Sequence, residues 1–368
     1  MDTRDAAQDW LAHRARFRAE LCAVAAATAA ILRATPADRD RAQVDRLLTR
    51  LVRLRRDLVA LLKERVAVTG APGFRKLSPA ARRDVEDDGP FGADPRRMLD
   101  IWNRVQAATR MAADFDSAPL LADPPPVDGL HQAWLAMDGT MNALHEYVNP
   151  RGSQDATRVA EGSFPDIPLP ASDFMATCQA ALRVCLAQGR HGPLSFLDVG
   201  CGGGIKVLMA AHIFARADGL EYDDGYAATA EKLLGSVGGG RSDIIRGDGI
   251  TWDGYDRYEV IYLFKPVRED SGLRRMERRI IEGAAAGSVV IAPYPGFAER
   301  VRDLGCGHLA GPLWLTDTSA EEAAALAHRA TAMAPVVVAH PVELGARAGL
   351  LHPITDALAA RGFLIPTG

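Results

Sequence analysis

The sequence predicts an α/β chain in which a mostly parallel, doubly wound sheet with helices on both faces follows an all-α N-terminal domain. Three observations predict it. From about residue 172 onward, short apolar runs alternate with helical patterns, and that alternation demands a parallel sheet joined by right-handed crossovers. Ahead of it, the chain carries helical periods broken by prolines and glycines. Between two of the later elements, the apolar run Leu194 to Phe196 continues through Leu197-Asp198-Val199-Gly200-Cys201-Gly202-Gly203-Gly204 straight into the helical pattern Ile205 to Phe214. Glycines at a strand-to-helix junction let the backbone approach a ligand, and the following helix points its free N–H groups at it.

Residues 6 to 34 read as a helix, with the alanine-rich run Ala23 to Leu32 favouring it by propensity and Pro36 ending it. A second helix, about 38 to 67, places Val44, Leu47, Leu51, Leu54, Leu58 and Leu61 on one narrow apolar seam, so the pair is expected to form an antiparallel hairpin. Its other face carries Arg46, Arg50, Arg53 and Arg56, read as solvated or self-paired. Gly70 to Gly73 is a hinge-like break. Ser78-Pro79 and Asp94-Pro95 each read as an N-cap followed by proline at the first helical position. The stiff spacer Asp123 to Pro126 leads to a helix from about 128 to 147, with His131, Trp134, Met137 or Met141, His145 and Tyr147 as inward candidates. After a polar loop (151 to 163) and the proline-extended run Phe164 to Pro170, Ser172 or Asp173 is expected to cap a helix to about Gln188. The expected division is a helical cap over 1–150, a linker over 151–171 and the sheet domain over 172–368.

Within the sheet domain, Ala217 to Leu220 reads as a second strand ending at Glu221, and Asp243 to Arg246 as a third, ending in Gly247-Asp248-Gly249. Tyr258 to Phe264 reads as a fourth, ending in Lys265-Pro266. An acid about 20 residues past the glycines, at the tip of the second strand, is placed to grip a ribose diol. Ser288 to Pro293 is a fifth strand, largely apolar as befits burial on both faces. Helices are expected at Ser271 to Ala285, Gly296 to Leu304 and Ser319 to about Met333. Leu309 to Leu315 reads as one sixth strand, and Val336 to Ala339 is the candidate seventh.

The glycine spacing separates two nucleotide readings. A dinucleotide fingerprint, G-x-G-x-x-G, would need glycine at 205, where Ile205 stands. What is present is Asp198-x-Gly200-x-Gly202-x-Gly204, and an acid two residues before the first glycine repels a pyrophosphate but suits a positively charged ligand. The turn resembles motif I of the class I S-adenosylmethionine-dependent methyltransferases. That resemblance covers roughly residues 172 to 315 and implies a Rossmann-like domain binding S-adenosyl-L-methionine. It implies that Asp198 and the turn Gly200, Cys201, Gly202 and Gly204 hold the methionine moiety and Glu221 the ribose. It gives the adenine to Asp248 and Gly249, with Tyr222 against the ring, and the ammonium to the carbonyls of Leu263 and Phe264. The run Leu263-Phe264-Lys265-Pro266 departs from the Asn/Asp-Pro-Pro-aromatic pattern of members that methylate exocyclic or amide nitrogens. A sixth and seventh strand separated by a helix would depart from the tight hairpin usual in the family.

Composition excludes several classes. At 368 residues the chain suits two domains, by a prior of roughly 100 to 200 residues each. Its 48% hydrophobic and 24% charged residues are those of a soluble globular protein. A net charge of −4 supplies no field for nucleic acid or an anionic membrane, so neither is expected as a partner. No apolar run reaches the length of a membrane span, and Met1 to Asp5 does not open a secretory leader. Five cysteines without C-x-x-C spacing read as reduced thiols in a cytoplasmic protein, and no His and carboxylate clustering argues for a metal.

Because a sulfonium is already activated, the protein has mainly to align a nucleophile and exclude water. The leading expectation is methyl transfer to a small-molecule acceptor, with the N-terminal helices as cap or homodimer surface. A second is attack on the aminocarboxypropyl arm, by transfer or by ring closure of the azetidine-2-carboxylate type, releasing methylthioadenosine. A third is a scaffold that binds the cofactor without turnover. If a residue before the glycine turn is catalytic, Tyr147 or His145 is the choice.

Overall fold

The computed structural model describes residues 2–35, 38–121, 129–149, 154–160, 164–237, 242–301, 303–334 and 348–363. Two units divide the chain, one formed by residues 1–116 with 341–368 and the other by residues 117–340.

In the first unit, α1 (Thr3–Arg33) and α2 (Arg41–Gly70) lie against each other as the seam predicts. All six seam residues of α2 are buried, facing Trp10, Phe17, Leu21 and Val24 of α1, and the Trp10 indole N–H donates to the Leu61 carbonyl at 2.9 Å. Three of the four arginines in that row are paired: Arg50 and Arg53 both reach Glu20, and Arg46 reaches Asp40. The short helix α3 (Pro79–Glu86) and the longer α4 (Pro95–Asp114) start where expected, with Ser78 accepting from the Ala81 N–H and Asp94 from the Arg96 N–H. A C-terminal helix, His352–Ala359, packs on α1 and α4 through Ile354, Ala357 and Leu358, so this part of the chain belongs with the helical unit and not with the sheet. Its small apolar face is what an alanine-rich α1 can accommodate closely. That match is tertiary and leaves no local signal.

The second unit begins earlier than the expected boundary at 150. Helix α5 (Gly129–Val148) sends Met137, Met141, Leu144 and Val148 into the core beneath the sheet. A short α6 (Ala156–Ala160) precedes α7 (Ala171–Ala187). The expected caps of α7 do not form: its N-cap is Pro170, and Ser172 instead donates from both its backbone N–H and its hydroxyl to the Asp138 carboxylate of α5, each at 2.7 Å. An acid on a neighbouring helix thus does the capping.

The sheet follows with β1 (Ser195–Val199), α8 (Ile205–Ala210), β2 (Arg216–Glu221), α9 (Asp224–Ser236), β3 (Ile244–Arg246) and β4 (Val260–Leu263). It is completed by α10 (Asp270–Gly283), β5 (Val289–Ile291), α11 (Phe297–Val301), β6 (Gly307–Ala310), β7 (Leu313–Leu315) and α12 (Ala320–Ala330). Seven strands run in the order β3-β2-β1-β4-β5-β7-β6. The first five are parallel, while β7 pairs antiparallel with both β5 and β6.

The predicted single strand over 309 to 315 is corrected here: it is a hairpin turning at Gly311, whose φ is 49°, and Pro312. Gly-Pro inside an apolar run is a turn signal, and it supplies the last two strands without any need for residues 336 to 339, which lie outside the described residues, as do 123 to 126 and the side chain of His131.

Candidate cofactor site

Strand alternation decides what faces the site. In β1, Leu197 and Val199 join one core layer, while Phe196 and Asp198 turn to the other, beneath α7. Register places Asp198 beside Gly219 of β2 and Tyr262 of β4. The strand order reverses between β1 and β4, and the carboxyl ends of the strands at such a point open a crevice. A cavity of about 290 Å³ lies there, reached by Asp198, Gly200, Gly202, Glu221, Tyr222, Asp248, Gly249 and Phe264 among the residues expected. Five parallel strands with that reversal, closed by an antiparallel β7 between β5 and β6, decide the architecture. The sheet has the class I methyltransferase topology.

No protein-family model and no curated protein matches the chain. Among solved structures, the S-adenosylmethionine-bound amino pentose methyltransferase of Micromonospora echinaspora is 20% identical over 45% of this chain and 61% of its own length, with a TM-score of 0.29. The sugar N-methyltransferase from Streptoalloteichus sp. is 23% identical over 34% of this chain and 51% of its own, with a TM-score of 0.28. The magnesium protoporphyrin IX methyltransferase of Synechocystis PCC 6803 is 16% identical over 45% of this chain and 86% of its own, with a TM-score of 0.31. Likenesses this distant say nothing of an acceptor, and the strand order and register are what assign the fold.

Asp198 is 1% exposed, and its Oδ2 has no hydrogen-bond partner among the described residues. Burial pushes its carboxyl up to about 7, with nearby Asp166 and Glu221 adding to the effect and Lys206 opposing it. Glu221 is likewise buried and pushed up to about 7 by burial, although the N–H groups of Gly202 and Asp223 donate to its two oxygens, both at 2.8 Å. That carboxylate therefore ties the glycine turn to the tip of β2. Asp248 accepts from the Ile250 N–H at 2.9 Å, bending the chain after β3. Tyr222 borders the cavity with the Arg158 guanidinium 3.9 Å from its ring centroid.

Gly200 has a φ of 76°, and a Cβ there would stand 2.6 Å from Cβ of Pro266, so only glycine lets the turn pass beneath the end of β4. Gly200→Ala is expected to displace that end and to weaken nucleoside binding at least tenfold, measured by calorimetry. Gly204 stands at the N-cap of α8 and Cys201 packs inward beneath Gly219, its thiol pushed well up by burial. Neither these two nor Leu263, buried at the end of β4, borders the cavity.

Of the two residues named as catalytic choices, the fold brings only His145 toward the turn. Its Nε2 lies 3.3 Å from the Asp166 carbonyl and its Nδ1 3.8 Å from the Asp166 carboxylate, whereas Tyr147 is 85% exposed; neither residue borders the cavity. Sequence reasoning missed the cover over the glycines. Asp166 Oδ2 accepts from the Gly203 N–H at 2.9 Å and from the Asn149 amide at 2.8 Å, and the Tyr226 hydroxyl accepts from the Asp166 N–H at 3.1 Å. Lys206 and Tyr262, also unforeseen, border the same cavity.

Proposed function

We propose that the chain is an S-adenosylmethionine-dependent methyltransferase acting on a small-molecule acceptor. The observation that carries this reading is the buried Asp198 carboxylate, whose Oδ2 is unpartnered among the described residues, set with Asp166 and Glu221 around a cavity whose described lining offers one lysine, Lys206, against them. Buried carboxylates in such excess over cations disfavour a pyrophosphate and favour a ligand that is itself cationic. Glycines at 200 and 202 leave room for it against the backbone, and the acid at Glu221 meets the expected position of a ribose.

When bound, S-adenosylmethionine would supply an activated methyl group. The chain's own residues bind and orient it: Asp198 and the glycine turn at the amino-acid end, Glu221 in the middle, Asp248, Gly249 and Tyr222 at the base. Asp166 and Asn149, lying over the turn, exclude water from the carboxylates below. His145, whose Nε2 lies 3.3 Å from the Asp166 carbonyl, does not border the cavity and supports the segment that covers the turn.

Incubation with S-adenosylmethionine and a panel of small acceptors, followed by mass spectrometry, is expected to give S-adenosylhomocysteine. Methylthioadenosine in an acceptor-free reaction would instead establish attack on the aminocarboxypropyl arm, and tight binding with no product would establish a scaffold. A nicotinamide dinucleotide binding in preference to S-adenosylmethionine would overturn the reading altogether.

A further inference from the structure

The mouth of the cavity differs in character from its carboxylate-lined interior. Phe164, Phe264, Pro266 and Val267 border the cavity and are each half-buried, so they reach both the interior and solvent. Two exposed cations stand among them, Lys265 between Phe264 and Pro266 and Arg268 directly after Val267. They converge on one ring: the Lys265 ammonium lies 5.7 Å and the Arg268 guanidinium 5.2 Å from the Phe164 ring centroid. An aromatic ring engages the charge of a cation and leaves its N–H donors unspent.

Neither cation has an ion pair or a hydrogen bond among the described residues, and the acids around them are engaged elsewhere. Glu269 accepts from the Ser271 hydroxyl, Asp270 pairs with Arg274 at 2.8 Å, and Asp166, two residues past Phe164, accepts from the Gly203 N–H and the Asn149 amide. Asp270 is held below its ordinary value chiefly by the hydrogen bond from Arg274, with Lys265 adding to the effect through space. Lys265 is also one of two described residues other than glycine with a positive φ, at 45°. Glycine would take that backbone freely, and a lysine kept in it is strain of the kind that gathers where a side chain has a task.

Resting on the methyltransferase reading above, we infer that Lys265 and Arg268 select an acceptor that carries an oxyanion, a carboxylate or a phosphate, on an apolar body. The rings of Phe164 and Phe264, with Pro266 and Val267, take the apolar body. The planar fork of Arg268 donates to two oxygens of the anion, and Lys265 meets the same charge as a point cation. The two parts of the site are then of opposite sign, with carboxylates inside for a cationic donor and cations at the mouth for an anionic acceptor.

The test is calorimetry on the full chain saturated with S-adenosylhomocysteine and titrated with benzoate, phenyl phosphate and the neutral benzamide. At least one of the two anions is expected to bind about tenfold or more tightly than benzamide, and which of them does so separates a carboxylate from a phosphate. Arg268→Met and Lys265→Met are each expected to cut that preference at least about threefold, and the double variant to abolish it. S-adenosylhomocysteine should bind every variant as it binds the parent, which also reports that each is folded. If neither anion is held more tightly than benzamide, or if the preference survives the double variant, the inference is overturned and the cofactor assignment stands. Weakening of S-adenosylhomocysteine in step with the anions overturns it too, since the two cations would then only anchor Phe164 over the cavity. If the unmodified protein binds no S-adenosylhomocysteine, the cofactor assignment falls and this inference falls with it.

Discussion

Asp198→Asn is expected to make the ligand-free protein more stable and to remove most of its affinity for S-adenosylmethionine. The two effects share one cause. In the fold the Asp198 carboxyl is pushed up to about 7, and Glu221 with it, chiefly because burial penalises the charge. Carboxyls raised above their unfolded values bind protons in the native state that the unfolded chain has already released. Stability from this source is therefore fully present below the unfolded range, near pH 4, and is lost as pH climbs through 7. Melting temperature of the ligand-free protein should fall between pH 5 and 8. In Asp198→Asn that slope is shallower, so the variant is more stable than the unmodified protein at pH 8, by an amount of order a few kcal/mol, and melts above it there, and the two converge in acid. A cationic ligand reverses the balance, since it needs the charged carboxylate. Affinity should rise with pH up to 7 in the unmodified protein, and removing the charge should weaken it roughly 100-fold or more. A variant that melts lower at pH 8, or that binds S-adenosylmethionine as well as its parent, would show that Asp198 is neither strained nor a receptor.

What the sequence makes legible follows from how local the signal is. The glycine turn, the acids at the tips of β2 and β3 and the caps at Ser78 and Asp94 are each set within a few residues, and each stands in the structure where expected. The turn at Gly311-Pro312 is equally local, but it was masked by apolar residues on both sides that read as one strand. Asp166 belongs to another class: it meets Gly203, 37 residues on, and Asn149, 17 residues back, so no periodicity ties it to the site. Tyr262 reads from sequence as one more apolar strand residue, and only the register with Asp198 reveals its oxygen. Lys206 reads as a solvated lysine at a helix start, and its burial depends on Asp166 arriving over the turn. The C-terminal helix fails to announce its unit for a related reason, because a short alanine- and leucine-containing helix fits the flank of a sheet as well as a helical bundle.

Arg183→Met is expected to cause the largest loss of stability in the sheet unit, although it lies away from the candidate site. The residue is 3% exposed in the middle of α7, among Leu182, Val184 and Cys185. Among the described residues no carboxylate pairs with it, and burial lowers it to about 10, so the guanidinium is still charged at pH 7. Its charge is met by carbonyls alone. Nη2 donates to Ala118 at 2.6 Å and Thr331 at 3.2 Å, Nη1 to Pro119 at 2.7 Å and Leu120 at 3.3 Å, and Nε to Met333 at 3.0 Å. One planar fork thus joins the chain entering the unit to the end of α12, two segments with no strand between them to hold them together. Methionine keeps the apolar stem but strands those acceptors at a cost of order 5 kcal/mol, which for a unit of this size lowers the melting temperature by roughly 10 to 20 °C. Lysine, with three donors on one point, should recover only part of it. An Arg183→Met protein melting within a degree or two of its parent would mean that water replaces the guanidinium at every carbonyl. In that case the Ala118 N–H, which donates to the Thr331 carbonyl at 2.9 Å, and apolar contacts suffice to hold the segment from Ala118 to Leu120.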